Sequence, residues 1–291
     1  MSACVLCPRL CGADRKGGQK GYCSQGDVMK ISRIALHPFE EPPISGEKGS
    51  GTVFFSGCPL GCVYCQNKAI SRGDGHGKEY SANSLAEEML RLRDEGATNI
   101  NLVTATHFTD KVASALEKAR PALGIPVVWN SSGYERVETL RMLEGLVDIY
   151  LPDFKYSSAE LASLYSAAPN YPSVAIQAIK EMHRQVGSYE YADDAMLKKG
   201  VVIRHLVLPS RRKESMEALR VLSEAVPVSE VLLSLMSQYT PDFALDTPYK
   251  ELHRRVTRFE YESVLNVALK LGFDGFSQAR EAAIRDYTPD F

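Results

Sequence analysis

The feature that most constrains this chain is a succession of short apolar segments, separated by amphipathic ones, that begins at Gly51. The apolar segments are TVFF (residues 52–55), INLVT (100–104), PVVWN (126–130), VDIYL (147–151), VVIRHLVL (201–208) and EVLLSLM (230–236). Their nearly continuous hydrophobicity is typical of parallel strands buried on both faces. Successive β-α units wind in one direction because their crossovers are right-handed. The sequence therefore predicts an α/β fold, a partial parallel (β/α)6 barrel of the TIM type over residues 51–291.

Helix signals lie between these strands. The segment SLAE, residues 84–87, predicts a capping box at the start of one helix. Pro172 and Gly187 predict the start and the end of another. Further helices are predicted over residues 110–123, 136–144, 213–225 and 259–271. In a parallel barrel the loops after the strands form the active face, and SGCPLGC follows the first strand.

Residues 1–50 differ in character from the rest. They are rich in glycine, proline and charge and show no helical period, so they are predicted to be loop. Such a segment buries too little apolar surface to order itself, which predicts a separate cysteine-rich extension tied down by metal. Glu40 and Glu41 immediately precede the first strand; a solvated loop is predicted there in preference to a substrate contact.

Charge and hydropathy exclude several kinds of partner. The chain has 34 Lys and Arg against 36 Asp and Glu, a formal net charge of -2. No global field therefore draws it to nucleic acid or to an anionic membrane. It also shows no signal peptide and no apolar run long enough to span a bilayer. We expect a cytoplasmic protein whose seven cysteines are reduced rather than paired in disulfides.

Three of the cysteines, Cys58, Cys62 and Cys65, have the spacing C-x3-C-x2-C directly behind the first strand. A cluster of four irons needs one protein ligand per iron to be fully capped, so three thiolates leave one iron open. A structural zinc site normally has four ligands, and no further cysteine lies downstream. His76 or His107 is the candidate that would close a zinc site.

Several motifs between about Gly51 and Leu271 resemble those of the radical S-adenosylmethionine enzymes, in particular the pyruvate formate-lyase activating enzymes and their relatives. These motifs are GCPLGCVYCQN, WNSSGY, LPDFK and IRHLVLP. The resemblance implies that the three cysteines bind a 4Fe-4S cluster whose open iron holds S-adenosylmethionine. Reductive cleavage of that cofactor would give a 5'-deoxyadenosyl radical that abstracts a hydrogen atom from a substrate.

The same resemblance implies partners. The electron donor would be a flavodoxin or ferredoxin, and the hydrogen donor a glycine of a glycyl radical enzyme. The alternatives are a radical enzyme that acts on a small molecule, and a non-catalytic zinc or iron-sulfur protein.

The resemblance also implies a set of cofactor-binding residues. Asp153 and Lys155 match an Asp-x-Lys at the end of the fourth strand, where opposite charges suit a zwitterionic ligand. Arg204 would bind a carboxylate, with an internal ion pair to Asp153 as the alternative. The other matching positions are Tyr64 beside the adenine, Asn67 in the cysteine motif, and Asn130 and Ser131, where activating enzymes have an aspartate and a threonine near a cation.

One loop departs from the family pattern. Family members usually have two glycines and a glutamate after the second strand, whereas this chain has VTATHFTD. Thr104, Thr106 and a neutral His107 offer hydrogen-bond acceptors for the ammonium group of the cofactor. The loop would equally serve as a substrate contact, and a structural role is the alternative for His107.

Four more cysteines, Cys4, Cys7, Cys11 and Cys23, lie within the first 23 residues with the spacing C-x2-C-x3-C-x11-C. Four thiolates complete a tetrahedral zinc site. They would equally hold a second iron-sulfur cluster that relays electrons. The spacing predicts a second metal site and leaves the choice between the two open.

Overall fold

A computed structural model describes residues 3–72 and 77–277. The strands in these residues are β1 (Met29–His37), β2 (Ser50–Phe55), β3 (Lys78–Tyr80), β4 (Ile100–Val103), β5 (Val127–Ser131), β6 (Ile149–Pro152), β7 (Glu190–Tyr191), β8 (Leu197–Leu206), β9 (Leu232–Met236) and β10 (Asp274–Ser277). The helices are α1 (Pro42–Ser45), α2 (Lys68–Ser71), α3 (Ala82–Asp94), α4 (Thr109–Leu123), α5 (Val137–Leu140), α6 (Ala159–Ser166), α7 (Tyr171–Val186), α8 (Arg212–Ala225) and α9 (Arg258–Leu271).

The strands form one sheet in the order β10-β9-β8-β6-β5-β4-β2-β1-β3, with β7 beside β8. The run from β10 to β2 is parallel, while β1, β3 and β7 pair antiparallel with their neighbours. The end strands β3 and β10 do not pair with each other within the described residues, so the sheet is open there. The predicted α/β class with a mostly parallel sheet is confirmed, and closure into a barrel is not observed in this part of the chain.

All six predicted strands are present, as β2, β4, β5, β6, β8 and β9. Every residue of β2, β4, β5, β6 and β9 is buried, as expected for parallel strands covered on both faces. The helices α4, α8 and α9 each begin one residue before the predicted start. Among the helices of the described residues, none combines the length and the apolar character needed to cross a bilayer.

The N-cap of helix α3 lies three residues before the predicted one. The side chain of Ser81 accepts a hydrogen bond from the backbone N–H of Ser84 at 3.1 Å, and the Ser84 hydroxyl oxygen accepts one from the backbone N–H of Ser81 at 2.9 Å. The cap is therefore Ser81, and Ser84 takes the place that Glu or Gln has in the usual box.

The prediction of loop over residues 1–50 is wrong for Pro42–Ser45, which forms the helix α1, and for Met29–His37. This segment forms β1, which pairs antiparallel with β2 and extends the sheet, with Ile34 opposite Val53. The backbone hydrogen-bond partners of β1 therefore lie in β2, and no hydrophobic pattern within the segment was read as indicating this pairing. Residues 3–28 contain no helix or strand, as predicted. The domain boundary at residue 50 stays a prediction, and residues 278–291 of the predicted barrel lie outside the described residues.

Candidate functional site

A cavity of about 250 Å³ lies at the carboxyl ends of the parallel strands. It is bordered by the cysteine loop after β2 and by the ends of β4, β5, β6, β8 and β9. Of the predicted site residues, it is lined by Cys58, Cys62, Tyr64, Cys65, Asn67, Thr104, Asn130, Ser131, Asp153, Lys155 and Arg204. Parallel strands end at one edge of the sheet, which is why residues so far apart in sequence meet here.

The cysteine loop is held by backbone hydrogen bonds to α6. The N–H of Gly61 donates to the carbonyl of Ser166 at 3.2 Å, and the N–H of Val63 donates to the carbonyl of Tyr165 at 2.8 Å. Gly57, which enters the loop, has a φ of 86° that favours glycine. The three thiols therefore sit on a fixed loop at one end of the cavity.

Burial raises the pKa of two of these three thiols. It raises the pKa of Cys58 and of Cys65, and the neighbouring Cys62 raises both further. In the described residues, no group of three His, Cys, Asp or Glu side chains is placed to hold a single metal ion. Each thiolate of a four-iron cluster binds its own iron, so such a cluster does not require the three sulfurs to converge on one ion.

A chain of opposite charges forms the floor of the cavity. The Lys155 ammonium donates to Asp153 Oδ2 at 2.6 Å, and Arg204 Nε donates to Asp153 Oδ1 at 3.0 Å. Burial alone would raise the pKa of Asp153, but the two cations lower it below its usual value. Arg204 Nη2 also donates to Asn130 Oδ1 at 2.6 Å. The ion pair considered for Arg204 thus exists, and it lies against the cavity.

Glu40 is a functional candidate that sequence reasoning placed wrongly. Its side chain is 9% exposed and lines the cavity, and Glu41 is 7% exposed, so the predicted solvated loop is incorrect for both. Glu40 Oε1 accepts hydrogen bonds from Asn101 at 2.7 Å and from Asn130 at 3.3 Å. Its other oxygen lies 3.4 Å from Arg204 Nη1. Burial raises the pKa of Glu40, and Arg204 opposes that rise.

Two predicted cofactor residues do not reach the cavity. The Thr106 hydroxyl donates to buried Glu135 at 3.0 Å. His107 Nε2 lies 2.7 Å from the carbonyl oxygen of Ser56, which can only accept, so Nε2 carries the proton. Both side chains are 1% exposed. The structure gives Thr106 and His107 packing roles, and the zinc alternative loses His107 as a ligand; His76 lies outside the described residues.

The remaining predicted site residues differ in their hydrogen bonds and backbone conformation. Ser131 donates to Glu135 at 2.7 Å, which ties its hydroxyl into the sheet. Tyr64 Oη lies 2.5 Å from Tyr156 Oη, and Asn67 precedes α2 without a side-chain capping bond. Thr104 has a φ of 59°, a left-handed conformation that is an outlier for a β-branched residue. Strain of this kind is concentrated at functional positions.

The four N-terminal cysteines lie in one compact turn-rich segment. Cys7 and Cys23 are buried, Cys4 is half-buried and Cys11 is exposed. A Cβ added at Gly21 would lie 3.3 Å from Cys11 Sγ and 3.5 Å from Cys23 Sγ, so these two sulfurs approach the same point. Burial raises the pKa of Cys7 to about 11, with further increases from the other three thiols.

This segment is docked on the cysteine loop of the cavity by Arg9. The guanidinium donates to the carbonyl of Pro59 at 2.7 Å and to that of Ala167 at 2.5 Å, and it lies 3.9 Å from the centre of the Tyr22 ring. The carbonyl of Cys23 also packs against Gly57 so closely that an added Cβ there would lie 2.5 Å from it. The two cysteine-bearing segments are therefore in direct contact.

Comparisons with known proteins identify a family for this chain. The sequence model of the Radical SAM superfamily matches residues 52–242, more than half of the chain. An uncharacterised protein of Methanocaldococcus jannaschii is 30% identical over 283 residues, which are 93% of this chain and 75% of that protein.

Two solved structures share the fold. A radical SAM methyltransferase from Sphaerobacter thermophilus superposes with a TM-score of 0.54 at 14% identity, over 79% of this chain and 66% of that one. Streptococcus suis SuiB, solved with its precursor peptide SuiA, gives a TM-score of 0.51 at 13% identity, over 84% of this chain and 50% of that one. The present chain thus spans half to two-thirds of their lengths. On the family match, the chain belongs to the radical SAM superfamily, whose implied cofactors are a 4Fe-4S cluster and S-adenosylmethionine.

Proposed function

We propose that this chain is a radical SAM enzyme that abstracts a hydrogen atom from its substrate. The observation that carries the proposal is the meeting, in one cavity, of three thiols and a floor of opposite charges. When bound, the cluster supplies the electron that cleaves S-adenosylmethionine to methionine and a 5'-deoxyadenosyl radical.

The cysteine triad fits this cluster. Cys58, Cys62 and Cys65 provide three thiol ligands and leave one iron for the amino acid part of S-adenosylmethionine. Because burial and repulsion from neighbouring thiols raise the pKa of Cys58 and Cys65, these two thiols would release protons when they bind the cluster. The chain contributes ligation, orientation and exclusion of water, and the cofactors contribute the redox chemistry.

The charged floor suits the zwitterionic end of S-adenosylmethionine. Lys155 and Arg204 present cations toward a carboxylate, although both also engage Asp153. Among the described residues that line the cavity, the carboxylates belong to Glu40 and Asp153. Glu40 is bound mainly by amides and has only a 3.4 Å contact with Arg204, so it is the acceptor available to an ammonium group. We assign this role to Glu40 in place of Thr106 and His107.

The test is anaerobic reconstitution with iron and sulfide, followed by dithionite and S-adenosylmethionine. The wild-type protein is expected to form 5'-deoxyadenosine, and Cys62→Ala is expected to form none. Val63→Ala, in the same loop but without loss of a thiol, is the matched control and should remain active. A wild-type protein that binds the cluster yet forms no 5'-deoxyadenosine would be an electron carrier instead.

For the substrate, we propose a glycine of a partner enzyme, with a flavodoxin or ferredoxin as the electron donor. The support is the similarity of GCPLGCVYCQN, WNSSGY and LPDFK to the activating enzymes. Incubation with a candidate glycyl radical enzyme should produce a glycyl radical visible by electron paramagnetic resonance (EPR). Turnover of a small molecule without such a partner would support the alternative.

For Cys4, Cys7, Cys11 and Cys23 we propose a structural zinc site. Four thiols in a segment without helix or strand suit zinc, which orders small segments that lack a core. In the described residues the four sulfurs do not converge on one point, so zinc binding would have to draw them together. Metal analysis of protein purified without reconstitution should find one zinc that Cys7→Ser removes. Additional iron and sulfide lost in Cys7→Ser would indicate a second cluster.

A further inference from the structure

Three hydroxyl groups connect one of the thiols to the cavity wall. Ser166 Oγ lies 2.9 Å from Cys62 Sγ and 3.0 Å from Tyr156 Oη, and Tyr156 Oη lies 2.5 Å from Tyr64 Oη. Ser166, the last residue of α6, is 0% exposed, and Tyr156 is 1% exposed. We call the series from Cys62 through Ser166 and Tyr156 to Tyr64 the hydroxyl chain.

The direction in which the hydroxyl chain donates its hydrogen bonds depends on whether Cys62 is a free thiol or an iron-bound thiolate. Each hydroxyl has one proton to donate, and a free thiol could donate or accept. A thiolate that ligates iron can only accept, so Ser166 must then donate to Cys62. Since the only hydroxyl proton of Ser166 points to Cys62, the Ser166 oxygen must accept a hydrogen bond from Tyr156. For the same reason the Tyr156 oxygen must accept one from Tyr64. Ligation therefore aligns all three O–H bonds toward the sulfur.

We propose that the hydroxyl chain raises the reduction potential of the cluster bound at Cys62, with Ser166 as the positioning residue that delivers the hydrogen bond. Reduction adds negative charge to the cluster and its sulfurs, so a donor to the thiolate stabilises the reduced state more than the oxidised state. Aligned hydrogen bonds in a buried series strengthen one another. The inference rests on the proposed function, because it requires the cluster.

The backbone of Ser166 has a separate task. Its carbonyl accepts from the N–H of Gly61 at 3.2 Å and from Arg9 Nη2 at 3.4 Å. These contacts hold the cysteine loop whatever side chain is present at position 166. Replacement of the hydroxyl therefore tests the hydrogen bond to Cys62 without removal of the loop's anchor.

The experiment is an EPR-monitored redox titration of the reconstituted protein without S-adenosylmethionine, following the signal that Cys62→Ala abolishes. We expect Ser166→Ala to lower the equilibrium constant for reduction of the cluster about tenfold. For one electron this is a reduction potential lower by about 59 mV. Tyr156→Phe should give a smaller shift in the same direction and Tyr64→Phe the smallest. Ser163→Ala, the same substitution at an exposed position of α6, should give none.

The possible outcomes separate the inference from the function on which it rests. Equal potentials for Ser166→Ala and the wild-type protein would overturn the role of the hydroxyl chain while leaving the enzyme intact. If Ser166→Ala fails to assemble a cluster, an unchanged potential in Tyr156→Phe would overturn it and a lowered one would support it. A wild-type protein without any cluster signal would instead contradict the proposed function.

Discussion

Thr104 holds a backbone conformation that favours glycine. The motif VTATHFTD lacks the glycines that the family pattern has, yet Thr104 holds a φ of 59°, a conformation natural to glycine. Its N–H donates to the carbonyl of Asn130 at 2.9 Å, and the residue lines the cavity. The left-handed conformation thus places strain at one residue of this loop.

Thr104→Gly is therefore expected to stabilise the protein. Relief of the left-handed conformation should raise the free energy of unfolding by about 1 kcal/mol, after allowance for the greater freedom of glycine when unfolded. Urea denaturation measures the change. Thr106→Gly, which removes a buried hydroxyl bonded to Glu135, should do the opposite. A destabilised Thr104→Gly variant would show that the threonine side chain outweighs the strain.

His107 makes stability depend on pH. Burial lowers its pKa from 6.5 to about 4, with Arg15 lowering it further and the bond to Ser56 opposing. The neutral ring is therefore the form that the fold favours: its contribution is complete above pH 6.5 and is lost as the pH falls toward 4. The loss amounts to about 3 kcal/mol by the linkage relation.

The measurement compares wild-type and His107→Gln proteins by urea denaturation at several pH values. The advantage of the wild type at pH 7 should shrink between pH 6.5 and 4, because glutamine does not titrate. It should be constant between pH 7 and 8. An advantage that stays constant down to pH 4.5 would contradict the assigned burial of a neutral ring.

At the scale of elements, Gly57 joins the end of β2 to the cysteine loop. Its φ is 86°, and a Cβ there would lie 2.5 Å from the carbonyl oxygen of Cys23. Gly124, at the end of α4, has a similar φ of 67° with nothing within 4 Å of an added Cβ. Substitution of both glycines by alanine therefore separates the two contributions to the loss of stability. Both variants have the unfavourable backbone conformation, and only the variant at Gly57 also has a steric clash.

Gly57→Ala should destabilise the protein more than Gly124→Ala does. The backbone penalty of about 1–2 kcal/mol is common to both variants, and only Gly57→Ala must also displace the N-terminal segment. Thermal unfolding measures the difference, and iron content after reconstitution should fall in Gly57→Ala alone. Equal effects in the two variants would mean that the contact with Cys23 is not maintained in solution.

Elements of the fold were predictable to the extent that each carries its own signal. The strands β2, β4, β5, β6, β8 and β9 each contain a short, mainly apolar segment, and α7 has Pro172 near its start, so both were predicted. The strand β1 was missed because its order comes from pairing with β2. At the site, the cysteines and Asp153 lie in motifs, whereas Glu40 enters the cavity from a segment whose course only the tertiary structure determines.

At the scale of the whole molecule, hydrogen bonds join the N-terminal segment to the residues around the cavity. Arg9 links the segment to Pro59 in the cysteine loop and to Ala167 at the end of α6. Arg15 adds a hydrogen bond at 2.6 Å to the carbonyl of His107. The strand β1 then continues from this segment into the sheet. A metal bound by the N-terminal cysteines, as proposed above, would thus stabilise the cysteine loop of the cavity.

Arg9→Ala tests this coupling. Loss of charged hydrogen bonds to two carbonyls should cost about 1.5 kcal/mol of docking, equivalent to a tenfold faster proteolytic cleavage within residues 3–28. We also expect less iron retained at Cys58, Cys62 and Cys65 after reconstitution, because the loop loses its contact at Pro59. Arg255→Ala, at an exposed arginine far along the chain, should match the wild type in both measurements. Faster cleavage of the segment with full iron retention would show that the docked segment covers the loop without supporting it.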